Sequence, residues 1–247
     1  RNEKIKIDFG AAFNQTSASL IGTDYTLANS YRDMQYLWLN RDFGKKVNFS
    51  FLALNVGQQV FFTDVDGDDF SSMKYILSLG THTKLDFNKF KLNISGYYQL
   101  GSATSTPQQR TSAYSIGLDA KYLVTNEFSL GLGYELQSGT TQTDTTQAYS
   151  DVSHNFNPVF GSNHKFNGYM DYFNVGSSHG NVGLQDIYLK FKYKKEKWSL
   201  DLDAHIFLAG LGIDVYDGVR YNTAISNAST PAEVTTVQDA QYTDYTL

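Results

Sequence analysis

The sequence predicts an all-β fold: an antiparallel up-and-down β-barrel of the transmembrane kind, of which this chain forms part of the wall. Three observations predict it. Apolar and polar residues alternate strictly over long segments, which marks strands with two different faces. Short and long connections alternate between those segments. And 247 residues hold 18 Tyr and 17 Phe with only 3 Pro, a balance that suits strands and interfaces where one end of a ring is apolar and the other wet.

The alternation is clearest at 92–100, where Leu92, Ile94, Gly96, Tyr98 and Leu100 share one face. In 128–136, Phe128, Leu130, Leu132, Tyr134 and Leu136 face one way and Ser129, Gly131, Gly133 and Glu135 the other. In 198–208, Trp198, Leu200, Leu202, Ala204, Ile206 and Leu208 oppose a face carrying Asp201, Asp203 and His205. Nine such strands are expected, at about 3–13, 31–42, 46–57, 73–87, 90–102, 112–124, 127–138, 181–194 and 197–209. Each spans about 10–14 residues, whereas a tilted membrane strand needs about 9–11 and a globular strand about 5–6. The stretch 34–56 is apolar on both faces, at Tyr36-Leu37-Trp38-Leu39 and Phe51-Leu52-Ala53-Leu54, which suggests contact with a plug or an inward-folded loop.

Short turns are expected at Phe43-Gly44-Lys45, Asn88-Lys89, Thr125-Asn126-Glu127 and Lys194-Lys195-Glu196-Lys197. Long polar loops are expected at about 14–30, 58–72, 103–111, 139–180 and after 210. This is the rhythm of periplasmic turns and extracellular loops in a bacterial outer membrane. An odd strand count and an ending inside a polar stretch, Gln238 to Leu247, lead us to expect one transmembrane domain over 1–247 that is incomplete at both ends.

Composition narrows the classes further. A mean hydropathy of −0.37 is too polar for a helical membrane protein but not for a barrel, which shows lipid only every second residue. No apolar run reaches the length of a transmembrane helix. The absence of Cys excludes disulfides and thiolate metal sites. A net charge of −5 argues against nucleic acid as a partner.

Two stretches are distinctive: Phe156-Asn157-Pro158-Val159-Phe160-Gly161-Ser162-Asn163-His164-Lys165-Phe166-Asn167-Gly168-Tyr169-Met170-Asp171-Tyr172-Phe173, and Val182-Gly183-Leu184-Gln185-Asp186-Ile187-Tyr188-Leu189-Lys190. They resemble the alginate-export-like porins of Bacteroidetes outer membranes, with Met34-Gln35-Tyr36-Leu37-Trp38-Leu39 and Gly133-Tyr134-Glu135 in support. The resemblance implies a monomeric barrel of about 16–18 strands, about nine of them here. It also implies passage of anionic sugars or other small solutes.

With the apolar face toward lipid, the other face lines the interior. The candidate pore-lining residues are Lys4, Lys6, Lys74, Lys84, Lys91, Tyr97, Asp119, Lys121, Glu135, Tyr188, Lys190, Lys192, Asp201, Asp203 and His205. Eight Lys are expected there (Lys4, Lys6, Lys74, Lys84, Lys91, Lys121, Lys190, Lys192) against six acids (Asp8, Asp86, Asp119, Glu135, Asp201, Asp203). A modest basic excess favours anions; the blander alternative is that the charges pair across neighbouring strands and keep a wide interior wet. Asn93 and Gln99 add amide groups.

The 139–180 loop is too long for a bare connector and carries Phe156, Phe160, Phe166 and Tyr169, with His164 and Lys165 among them. These six are the candidate constriction, should the loop fold into the barrel; the alternative is a self-packed extracellular cap. Asp64, Asp66 and Asp68 resemble the start of a calcium loop but lack the distal Glu, so an acidic solvated loop is the favoured reading. The five His have no metal spacing, and Ser178-His179 sits in no nucleophile elbow. No cofactor and no enzymatic activity are expected. The function expected is an outer-membrane channel for small anionic or sugar-like solutes, with membrane lipid and lipopolysaccharide as surroundings. The competing function is a barrel that binds an envelope protein partner within a larger assembly.

Overall fold

The computed structural model describes residues 5–14, 31–63, 67, 69–102, 109–141, 146–159 and 182–210, with the backbone alone described for 61–63, 69–71 and 150. Its core is one antiparallel sheet of nine long strands in sequence order: β1 (Ile5–Phe13), β2 (Asp33–Phe43), β3 (Val47–Thr63), β4 (Asp69–Phe87), β5 (Phe90–Ser102), β6 (Arg110–Leu123), β7 (Phe128–Gln137), β9 (Leu184–Lys195) and β10 (Trp198–Ala209). A two-residue strand, β8 (Val152–Ser153), adds in parallel to the start of β6. The sheet is up-and-down, as a partial barrel wall requires, and it is not closed: β1 and β10 each pair on one side only. Among the described residues no helix is long and apolar enough to cross a membrane.

All nine expected strands are present. The main difference lies between β3 and β4. Their ladder continues to Thr63↔Asp69, so most of the expected 58–72 loop is an extended hairpin. Gln58 and Gln59 break the apolar alternation in the sequence, but backbone pairing requires no apolar side chain.

The short turns stand where expected. Phe87 pairs with Phe90 across Asn88-Lys89, and Lys195 with Trp198 across Glu196-Lys197. Asn88 and Glu196 take positive φ of 63° and 51°, as a two-residue hairpin turn demands of its first central residue. Gly44 serves the β2–β3 turn with φ 66°.

Register carries each face across the whole sheet. A single row of cross-strand partners runs Lys6, Asn40, Ser50, His82, Ser95, Gly117, Glu135, Asp186, Phe207 through nine strands. The opposite face holds the neighbouring apolar positions, such as Ile94↔Leu118 and Leu132↔Leu189. Large exposed hydrophobic residues, from Phe9 through Ile94, Leu118 and Leu132 to Leu202, all lie on that apolar face except Tyr36. The buried polar side chains within the long strands, Asn40, Ser78, Gln99, Thr111, Ser129, Gln137 and Asp186, lie on the polar face. This is the reverse of a water-soluble sheet, which buries its apolar side.

Aromatic residues mark both edges of the apolar face. Phe43, Phe87, Phe90, Tyr122, Phe128, Tyr193 and Trp198 stand beside the short turns. Tyr75, Tyr98 and Tyr114 stand toward the loops, where Tyr98 shares a hydrogen bond with Ser112 (2.6 Å) and Tyr75 donates to Asp33 (3.0 Å). Phe90 and Tyr98 are eight residues apart, as are Tyr114 and Tyr122. That separation is about 27 Å of strand at ~3.4 Å per residue.

Candidate functional site

The polar face is the candidate site. Register brings Lys6, Lys74, Lys84, Lys91, Tyr97, Asp119, Lys121, Glu135, Tyr188, Lys190, Lys192, Asp201, Asp203 and His205 onto this one face. Lys4 lies outside the described residues. Strand geometry alone does this, since residues two apart share a face and cross-strand partners stand side by side.

Several of the charges are tied to neighbours. Lys91 Nζ lies 2.6 Å from Asp86, and Lys192 Nζ lies 2.8 Å from Asp201 on the adjacent strand. Asp119 is the hub of a wider network: Asn93 donates to it (3.1 Å), Tyr188 donates to it (3.3 Å), and Lys190 Nζ lies 4.0 Å away. Lys190 also sits 4.3 Å above the Tyr188 ring centroid. Cross-strand pairing of charges, the blander of the two expectations, describes Lys91 with Asp86 and Lys192 with Asp201. Lys84 and Lys121 are among the charges that are not: neither side chain closes a hydrogen bond or a short ion pair among the described residues.

The expected basic excess is corrected by register. The described strand positions of this face carry eight Lys (Lys6, Lys74, Lys84, Lys91, Lys121, Lys190, Lys192, Lys194) and eight acids (Asp8, Asp42, Asp86, Asp119, Glu135, Asp186, Asp201, Asp203). Asp42 and Asp186 escaped the sequence tally. Asp42 sits beside a turn, where alternation ends, but Asp186 shares parity with Tyr188 and Lys190 and was legible.

Asp186 is also the partner of His205, which the sequence pairs with Asp203 only by shared face. The carboxylate is 1% exposed, and His205 Nδ1 lies 3.0 Å from both of its oxygens. The His205 ring stands between Tyr188 and Phe207, at centroid distances of 5.4 and 5.6 Å. A carboxylate on Nδ1 fixes the tautomer and turns Nε2 outward.

Three Tyr on this face lie across glycines that are their direct cross-strand partners: Tyr36 on Gly10, Tyr97 on Gly80 and Tyr188 on Gly133. A Cβ at Gly133 would meet the Tyr188 ring at 1.9 Å. The glycine supplies the floor on which the ring lies flat, and the ring covers backbone that glycine leaves bare. Tyr36 itself is 38% exposed, whereas Val56, on the same face of the 34–56 stretch, is 2% exposed.

The loop after β7 returns onto the polar face. A four-residue helix, α1 (Gln147–Ser150), precedes β8, which pairs Arg110↔Val152 and Thr111↔Ser153. Ser138 Oγ donates to the His154 carbonyl (2.7 Å), and Phe156 N donates to the Ser138 carbonyl (3.1 Å). His154 stacks on Tyr149 at 4.2 Å. Gln99, 2% exposed on the polar face, then holds Asn157 by both backbone groups: Nε2 donates to its carbonyl (2.7 Å), and Oε1 accepts from its N–H (3.0 Å). Residues 154–157 of the loop therefore lie against Gln99 and Ser138, and Phe156 is buried. Of the other constriction candidates, Phe160, His164, Lys165, Phe166 and Tyr169 lie outside the described residues.

Asp64, Asp66 and Asp68 also lie outside them. Among the described residues no three His, Cys, Asp or Glu are grouped to hold a metal ion. Compared with known proteins, the chain matches no family model, and no curated protein is significantly similar to it.

Proposed function

We propose that this chain is part of the wall of a bacterial outer-membrane channel through which small anionic or sugar-like solutes pass with weak selectivity. One observation carries the reading: a continuous nine-stranded sheet exposes its large hydrophobic residues on one face and gathers its charges on the other. In water, such an apolar face is a large unpaid exposure; against lipid it is the favourable state. The aromatic rows at both edges fit the two membrane interfaces. The alginate-export-like resemblance agrees with this reading and supplies the sugar-like class of solute.

Equal numbers of Lys and acids favour weak selectivity over a strong preference. Lys84 and Lys121, on the central strands and without a short ion pair among the described residues, supply local positive charge. In planar bilayers, the full-length chain is expected to open ohmic pores with an anion-to-cation permeability ratio between about 1 and 3. The double substitution Lys84→Glu with Lys121→Glu is expected to bring that ratio below 1. A ratio that does not move removes these two residues from the conduction path; the absence of any pore removes the channel reading. Deleting 156–173 is expected to raise single-channel conductance, and no rise would sink the idea that the loop narrows the path.

The competing reading, a barrel that binds an envelope partner, draws on the two sheet edges that have no partner strand among the described residues. Copurification of a stoichiometric second protein together with absent conductance would favour it.

A further inference from the structure

Gln99 stands out among the polar-face residues because its amide reaches beyond the sheet as well as across it. It sits near the loop end of β5, paired in register with Ser78 and Ala113. Its Nε2 donates to Ser78 Oγ at 3.1 Å and to the Asn157 carbonyl at 2.7 Å, while its Oε1 accepts the Asn157 N–H at 3.0 Å. A primary amide presents a donor and an acceptor side by side, as a peptide group does, so it closes a two-point contact with backbone 58 residues downstream. Gln99 itself is 2% exposed, so an amide group of Gln99 that loses its partner is left buried and unsatisfied.

We propose that Gln99 determines the size limit of the channel by seating the 154–157 segment on the polar face. The proposal rests on the channel reading above. Three arguments support it. The segment lies on the face that carries the charges and not on the apolar one, so whatever it occupies is taken from the interior. Ahead of Asn157 it is anchored by β8 on β6 and by Ser138, which bonds the His154 carbonyl and the Phe156 N–H. The only side chain among the described residues that holds the far end at Asn157 by its backbone is Gln99. Removing the start anchors would disturb the sheet edge; removing Gln99 frees only the far end.

The test uses the full-length chain in planar bilayers, with conductance and the largest polyethylene glycol that enters as the two readouts. Gln99→Ala is expected to raise conductance by about 1.5-fold or more, because conductance of a wide pore follows its open cross-section, and to admit larger polymers. Gln99→Glu separates a seat from general packing. At pH 7 its carboxylate repels the Asn157 carbonyl, so the variant behaves like Gln99→Ala. Below about pH 4 the protonated acid again offers one donor and one acceptor, and conductance returns to that of the parent protein at the same pH. Because the chain has no Cys, Gln99→Cys with Asn157→Cys can be joined cleanly by a short bis-methanethiosulfonate spacer, each thiolate displacing methanesulfinate to form a disulfide that a reductant cuts. The joined protein keeps the parental size limit, and cutting the spacer raises it.

A parent that conducts while Gln99→Ala changes neither readout overturns this proposal and leaves the channel reading standing. Failure of the two cysteines to join in the folded, membrane-inserted protein also overturns it. A chain whose cysteines join but which never conducts overturns the channel reading, and the size limit with it.

Discussion

Leu132→Arg is expected to destabilise the folded chain in a phospholipid bilayer by about 2–4 kcal/mol, the cost of a cation facing lipid near the midplane. Leu132 is 58% exposed and stands on the apolar face between Ala120 and Leu189, away from both aromatic rows. A guanidinium there has no interface within easy reach and no acid beside it on that face. The measurement is reversible denaturant unfolding in vesicles of defined thickness, with Ser95→Arg on the polar face as the control. Ser95 is flanked in register by His82 and Gly117, and a charge on a wet interior surface should cost little. Equal costs at the two positions would mean that the apolar face does not meet lipid.

Gly133→Val is expected to cost about 3 kcal/mol by a different mechanism, on the other face of the same strand. The new Cβ would fall 1.9 Å from the Tyr188 ring, so the ring must leave its place. Moving it breaks the hydrogen bond to Asp119 and the Lys190 contact above the ring. Tyr188→Ala removes the obstacle, and in that background Gly133→Val should cost much less than it does alone. Additive effects in this double-mutant cycle would show that the glycine is needed for something other than the ring.

The fold was readable because a two-faced strand writes its period directly into the sequence. At 128–136 or 198–208 every second residue meets the same surroundings, and nothing except strand geometry is needed to see it. The β3–β4 extension was not readable, since Gln58 and Gln59 interrupt the pattern while backbone groups go on pairing regardless. Of the site, the face of each candidate was legible and its partner was not. Parity placed His205 on the polar face, but its carboxylate is Asp186 on the neighbouring strand, and not Asp203 two residues away. In an extended strand, residues two apart are about 7 Å from each other, whereas direct cross-strand neighbours are closer.

What the sequence determined by itself is the two-faced wall: strand positions, the alternation of turns and loops, and the side on which each charge stands. These follow from local backbone geometry and survive without knowledge of any contact. Only the tertiary structure decided the charge balance of the polar face and the glycine floors beneath Tyr36, Tyr97 and Tyr188. It alone placed the start of the long loop on that face, held at Asn157 by Gln99. Each of these depends on which residues of different strands come to lie side by side, and register, not periodicity, sets that.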